Sequence, residues 1–161
     1  MAGTVLAGIA GVAATGALVM TSIPADLFGR AVPGPDRVVA EADQVAVIGG
    51  DTLRLEGHVV RLRGVDAPDR GDHCRGELDC GGAATSVLAG LVRDRRVECR
   101  LAGTDTAGRP YAACEANGTD LSRAIVASGW ARAQPGVPEL ADLELRARRQ
   151  RAGLWADATG R

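Results

Sequence analysis

The stretch VAVIGGDTLRLEGHVVRLR, residues 45–63, decides the fold. Apolar side chains cluster or alternate over Val45–Ile48 and Asp51–Leu55, Glu56 and Gly57 supply a turn, and HVVRLR over 58–63 alternates again. Successive side chains of a strand point to opposite faces, so a period of two marks half-buried strands. Two such runs joined by a tight Gly-containing turn read as a β-hairpin.

Working outward, AATSVLAGLVRD places apolar residues at 84, 87, 88, 91 and 92, a helical spacing that predicts a helix over about 82–93. Val97–Leu101 and Tyr111–Glu115 flank the turn-rich GTDTAGRP and read as neighbouring antiparallel strands. Asn117 and Gly118 make the next turn, Asp120 caps a short helix through Ser128, GWARAQ returns as a strand, and Pro138 opens a final helix to about Ala152. Short antiparallel strands interrupted by helices predict a mainly β fold with α, a small five-stranded OB-fold barrel carrying about three helices.

A chain of 161 residues has room for one such domain. Met1–Ala25 is uncharged and Gly/Ala-rich, long enough to cross a bilayer, and is expected to be an apolar helix acting as a signal peptide or membrane anchor. It lacks the basic start of a signal peptide, which favours the anchor. Residues 26–40, with prolines, a glycine and alternating charges, read as a linker, and the domain as 41–161.

The formal net charge is −1, so no overall basic footprint draws the chain to nucleic acid, and any grip on phosphate must come from locally placed side chains. All 19 basic residues are arginine. Four cysteines, at 74, 80, 99 and 114, follow an export-like segment and point to two disulfides; a four-cysteine zinc site competes but lacks paired short C-x-x-C spacings. The strand reading puts Cys99 opposite Cys114, symmetric about the GTDTAGRP turn, and leaves Cys74 with Cys80. Oxidised thiols imply a domain outside the cytoplasm: secreted, periplasmic or membrane-anchored.

Three segments put carboxylates or guanidiniums beside turns: GGDT at 49–52, VRLRGVDAPD at 60–69 and TDTAGRP at 104–110. Together with CGGAA at 80–84, GW at 129–130 and GLW at 153–155, they resemble the thermonuclease (staphylococcal nuclease-like) family in order and spacing, over about residues 43–157. The resemblance implies a Ca²⁺-dependent nuclease acting on single-stranded DNA or RNA and leaving a 3′-phosphate. It implies calcium ligands at Asp51, Asp66 and the backbone carbonyl of Ala67, catalytic arginines at Arg61 and Arg109, and a general base at Asp69. The family has a glutamate at the last position; the aspartate here is shorter by one C–C bond, about 1.5 Å. Thr52 and Arg63 are expected to contact substrate, Arg63 because it lies one strand period from Arg61. Family positions that stack on bases, near Ala107 and Pro135, are not aromatic here, which weakens base contacts and leaves affinity to phosphate. His58, His73, Trp130 and Trp155 read as structural, and Arg146, Arg148, Arg149 and Arg151 as a solvated helix face. A monomer without a protein partner is expected. The competing reading is a catalytically weak or inactive OB-fold module that binds oligonucleotide or a protein.

Overall fold

The computed structural model describes residues 36–74 and 77–156. The apolar helix expected at 1–25 and residues 26–35 of the expected linker lie outside these.

Strands β1 (Arg37–Ala40), β2 (Val45–Gly49), β3 (Thr52–Leu55), β4 (His58–Leu62) and β5 (Val65–Asp66) are followed by the two-residue pair β6 (His73–Cys74) and β7 (Leu78–Asp79). Helix α1 (Cys80–Val92) leads to the long hairpin β8 (Val97–Thr104) and β9 (Pro110–Ala116), then β10 (Thr119–Asp120), α2 (Leu121–Ala127), β11 (Arg132–Ala133) and α3 (Pro138–Arg149). The Glu56–Gly57 and Asn117–Gly118 turns both have positive φ at each central residue, the backbone that matches the twist of a two-residue hairpin. Asp120 caps α2 by accepting from Arg123 N at 2.9 Å, as its sequence position suggests.

The main sheet is mixed and runs β1-β8-β9-β4-β3-β2, with β10 added to β9, seven strands in all. Every pairing in it is antiparallel except β4 with β9, where Arg61 stands opposite Tyr111 and Leu62 opposite Ala112. The closed five-stranded barrel expected from the sequence is therefore corrected to an open path, since its end strands β1 and β2 do not pair with each other. The extra strand comes from RVVA: Val38 and Val39 pair with Cys99 and Glu98 of β8, in residues read from sequence as linker. Nearby prolines masked a run of only four residues. GWARAQ likewise supplies only the two-residue β11, and α3 ends before Ala152.

Core packing is aliphatic, as it must be with only 2% aromatic residues. Leu53, Leu55, Val60 and Leu62 from β3 and β4 meet Leu88 of α1, Val97 and Ala112 of the long hairpin, and Leu121, Ile125 and Val126 of α2. The Cys99–Cys114 disulfide joins directly opposed residues of β8 and β9 with Cα atoms 4.1 Å apart, inside this core. Cys74 is bonded to Cys80 at the start of α1, so no thiol is left for a zinc site. The GW and GLW motifs prove to be one contact: Leu154 N donates to Gly129 O at 2.8 Å, and a Cβ on Gly129 would stand 2.4 Å from Ala152 O. Trp130 packs on the core, whereas Trp155 lies against arginines, with Arg148 3.9 Å from its ring centroid.

Candidate active site

The β2–β3 turn delivers Asp51. Gly50 just before it has no room for a side chain, because a Cβ there would come within 2.6 Å of Ala84 Cβ and 2.8 Å of Ala67 Cβ. The turn is thus seated against α1 and the segment after β5. Asp51 is 4% exposed, and its backbone carbonyl accepts from Leu62 N at 2.8 Å, tying it to the end of β4.

In the β3–β4 ladder Thr52 stands opposite Arg61. Thr52 Oγ1 donates to Asp51 Oδ1 at 2.7 Å, and Arg61 Nη2 donates to Asp51 Oδ2. Both oxygens of a buried carboxylate are thereby satisfied, as burial of a charge requires. The hydrogen bond to Asp51 raises the Arg61 pKa above its ordinary value; burial opposes this, and the charges of Asp51, Asp66 and Asp105 reinforce it. Arg61 is therefore held in its charged form chiefly by Asp51.

Asp66, at the end of β5, is exposed, and Ala67 beside it is half-buried. Asp69 is exposed, but its backbone is held: Asp69 N donates to Asp72 Oδ2 and Asp72 N to Asp69 O, each at 2.9 Å. Asp72 O in turn accepts from Cys80 N and Gly81 N at 3.0 and 3.1 Å. A Cβ on Gly81 would stand 1.8 Å from Asp69 O, so only glycine lets α1 begin this close to the Asp69 loop.

Arg109 sits in the turn between β8 and β9 and is gripped by Asp105, which the sequence reading did not single out. Asp105 Oδ1 accepts from Ala107 N at 2.9 Å and Arg109 N at 2.8 Å, while Oδ2 accepts from Arg109 Nε at 2.8 Å. Nε is thereby engaged and the terminal nitrogens of Arg109 carry no bond to Asp105. The Arg109 backbone bond first, then the Arg109 side chain and Ala107 N, hold the Asp105 carboxyl below its usual range against some desolvation. The signal was present in sequence, since an Asp opening a turn commonly accepts from amides two and more residues on.

The structure pairs Arg61 with Asp51, sets Gly50 beside Asp51 against Ala67 beside Asp66, and places the Asp105-held Arg109 two residues before Tyr111, the ladder partner of Arg61. Arg63 does not join them. β4 ends at Leu62, Arg63 N donates to Ala112 O at 2.8 Å, and its side chain lines a hollow with Asp120, Arg123 and Glu139 beneath α2 and α3. The alternation that put Arg63 on the Arg61 face stops where the chain turns.

Asp51, Asp66 and the Ala67 carbonyl offer only oxygen donors, which suits a hard cation such as Ca²⁺, with water completing its shell. The two aspartate backbones meet where Gly50, next to Asp51, lies against Ala67, next to Asp66. Among the described residues no group of three or more His, Cys, Asp or Glu converges as a metal cluster, and the fit rests on these two acids.

With this geometry in view, the chain compares directly with known proteins. Residues 59–157 match the staphylococcal nuclease homologue family. A curated relative, the succinoglycan biosynthesis protein ExoI of Rhizobium meliloti (strain 1021), is 35% identical over 120 residues, covering 70% of this chain. The chain spans 63% of that relative's length. By the match of residues 59–157, more than half of its length, the chain belongs to the staphylococcal nuclease homologue family.

Proposed function

We propose that the protein is a Ca²⁺-dependent nuclease that hydrolyses phosphodiesters of single-stranded DNA or RNA. The observation that carries this reading is the part-buried Arg61–Asp51 pair, with the Asp105–Arg109 clamp on the turn that leads into Tyr111, the ladder partner of Arg61. Planar guanidiniums match the geometry of a phosphate and gain most where negative charge concentrates on its oxygens in the transition state.

Arg61 and Arg109 grip the non-bridging oxygens of the scissile phosphate. Asp69 takes a proton from water, whose oxygen attacks phosphorus. The bond from phosphorus to the 5′-oxygen breaks, and the leaving oxygen collects a proton from solvent, leaving a 3′-phosphate and a 5′-hydroxyl. Asp51, Asp66 and the Ala67 carbonyl would hold calcium, which would supply further charge neutralisation. Asp51 engages Arg61 directly, so the same carboxylate holds the guanidinium in place at the end of β4. Two disulfides support a place of work outside the reducing cytoplasm.

The competing reading, a module that binds oligonucleotide without cleaving it, draws on the same pair, since an arginine neutralised by a buried carboxylate is less available to phosphate. Incubation of the full chain with single-stranded DNA and with RNA separates the two. Cleavage that requires calcium, stops with EGTA and is abolished in Arg109→Ala supports the enzyme. Binding without cleavage under all conditions establishes the module instead.

A further inference from the structure

Strand β11 brings another cation to the same rim. In the β5–β11 ladder Arg132 stands directly opposite Asp66, and Ala133 opposite Val65. Directly opposed residues of antiparallel strands send their side chains to the same face. Arg132 therefore leaves the backbone beside the Asp66 carboxylate.

Its strand is braced from two sides. Ala133 N donates to Glu144 Oε2 at 2.7 Å, Gln134 N to Gly64 O at 2.8 Å, and Gln134 Nε2 to Val65 O at 3.0 Å. A brace of this kind fixes where the side chain starts and reduces the entropy lost when it grips a ligand.

The guanidinium does not pair with Asp66. It stands 5.7 Å from the Trp155 ring centroid, and among the described residues it makes no ion pair. Arg148, on the same ring, differs: its Nε donates to the buried Glu144 at 2.9 Å, so its charge is compensated. Of the two arginines at Trp155, Arg132 is the one whose exposed charge has no described carboxylate against it, and it is one ladder partner away from Asp66.

A polyanionic strand whose reacting phosphate sits at the Arg61 rim must continue past it in some direction. We propose that Arg132 binds the phosphate neighbouring the scissile one, so that a polynucleotide strand is held along β11 toward Trp155 by a contact that a mononucleotide diester cannot make. The inference rests on the nuclease reading for the position of the reacting phosphate.

The test compares the full-chain protein with Arg132→Ala and Arg132→Lys on two substrates, a single-stranded oligonucleotide and a nitrophenyl phosphodiester of one nucleotide. Arg132→Ala should raise KM for the oligonucleotide about tenfold, leave its kcat unchanged, and leave both constants for the small diester unchanged. The slope of log affinity against log salt should flatten by about 0.7, the value for one phosphate contact on a single strand. Arg132→Lys should retain most of the affinity, because a point charge still meets a phosphate. An oligonucleotide KM and salt slope that do not change, or an equal loss on both substrates accompanied by a lower Tm, would overturn the proposal and leave Arg132 a structural partner of Trp155. If the wild-type protein cleaves neither substrate, the nuclease reading fails. Fluorescence anisotropy with the labelled oligonucleotide then decides separately on Arg132, with the same loss of affinity and of salt slope expected and an unchanged isotherm overturning it.

Discussion

Arg61 Nη2 donates to Oδ2 of Asp51 from a ladder position opposite Thr52, the residue whose own hydroxyl donates to the other Asp51 oxygen. One buried carboxylate thus locks the β2–β3 turn to β4 and aims the guanidinium at the rim.

That pair should be measurably coupled. Asp51→Asn and Arg61→Gln should each lower the stability of the fold by about 1 to 3 kcal/mol, the cost of stripping a charged partner from a poorly exposed group. Because each single change already breaks the same interaction, the double variant should lose less than the sum. Urea unfolding of the four proteins gives the coupling directly, and strict additivity would show that the pair contributes nothing of its own.

Asp105 makes a prediction in pH. Its folded pKa is depressed by Arg109 and Ala107, so its ionised form stabilises the loop above the unfolded value of about 3.9 and that gain is lost only as pH falls through the lower folded value. The stability difference between wild type and Asp105→Asn should stay constant from pH 7 down to about 4 and shrink below it. At pH 7 the same substitution should also reduce kcat by freeing Arg109. A gap that narrows between pH 7 and 5 would mean that another group is titrating.

Two glycines of α1 should behave oppositely. Gly81→Ala forces the helix start away from Asp69 O, and a displacement of about 1 Å at a catalytic group can cost on the order of a hundredfold in rate. At Gly90, in the same helix, a Cβ would meet nothing within 4 Å, so Gly90→Ala should stabilise by about 0.5 to 1 kcal/mol and leave kcat alone. Thermal unfolding and single-turnover rates of both variants check this; a Gly81→Ala protein with wild-type kcat would detach Asp69 from the chemistry.

Asp69→Glu should raise kcat, because the exposed side chain has room to lengthen while its backbone stays clamped to Asp72 and α1. The comparison is made at saturating substrate and calcium. An unchanged or lower kcat would show that reach is not what limits this carboxylate.

Local signals were legible in the sequence where they were chemical. The Glu56–Gly57 and Asn117–Gly118 turns, the Asp120 cap, the helix expected over about 82–93 and found two residues earlier at Cys80, and the opposition of Cys99 to Cys114 follow from residue types, periods and symmetric spacing, which short-range sterics and hydrogen bonds enforce. The motifs that carry the candidate acids and arginines were legible too, since they keep a family spacing. The strand at Arg37–Ala40 escaped notice because four residues beside prolines give too little pattern to weigh.

Tertiary structure alone decided the rest. The open path of the sheet depends on β4 lying parallel to β9, a pairing between distant segments that no local period encodes. Arg63 lines a hollow with Asp120 and Glu139 because β4 ended one residue before it, and Arg132 stands opposite Asp66 because β11 found β5. Composition and spacing determine which side chains are available for phosphate and metal; which of them face one another is set by long-range pairing, where the entropy of closing the chain is offset only by the core that forms behind it.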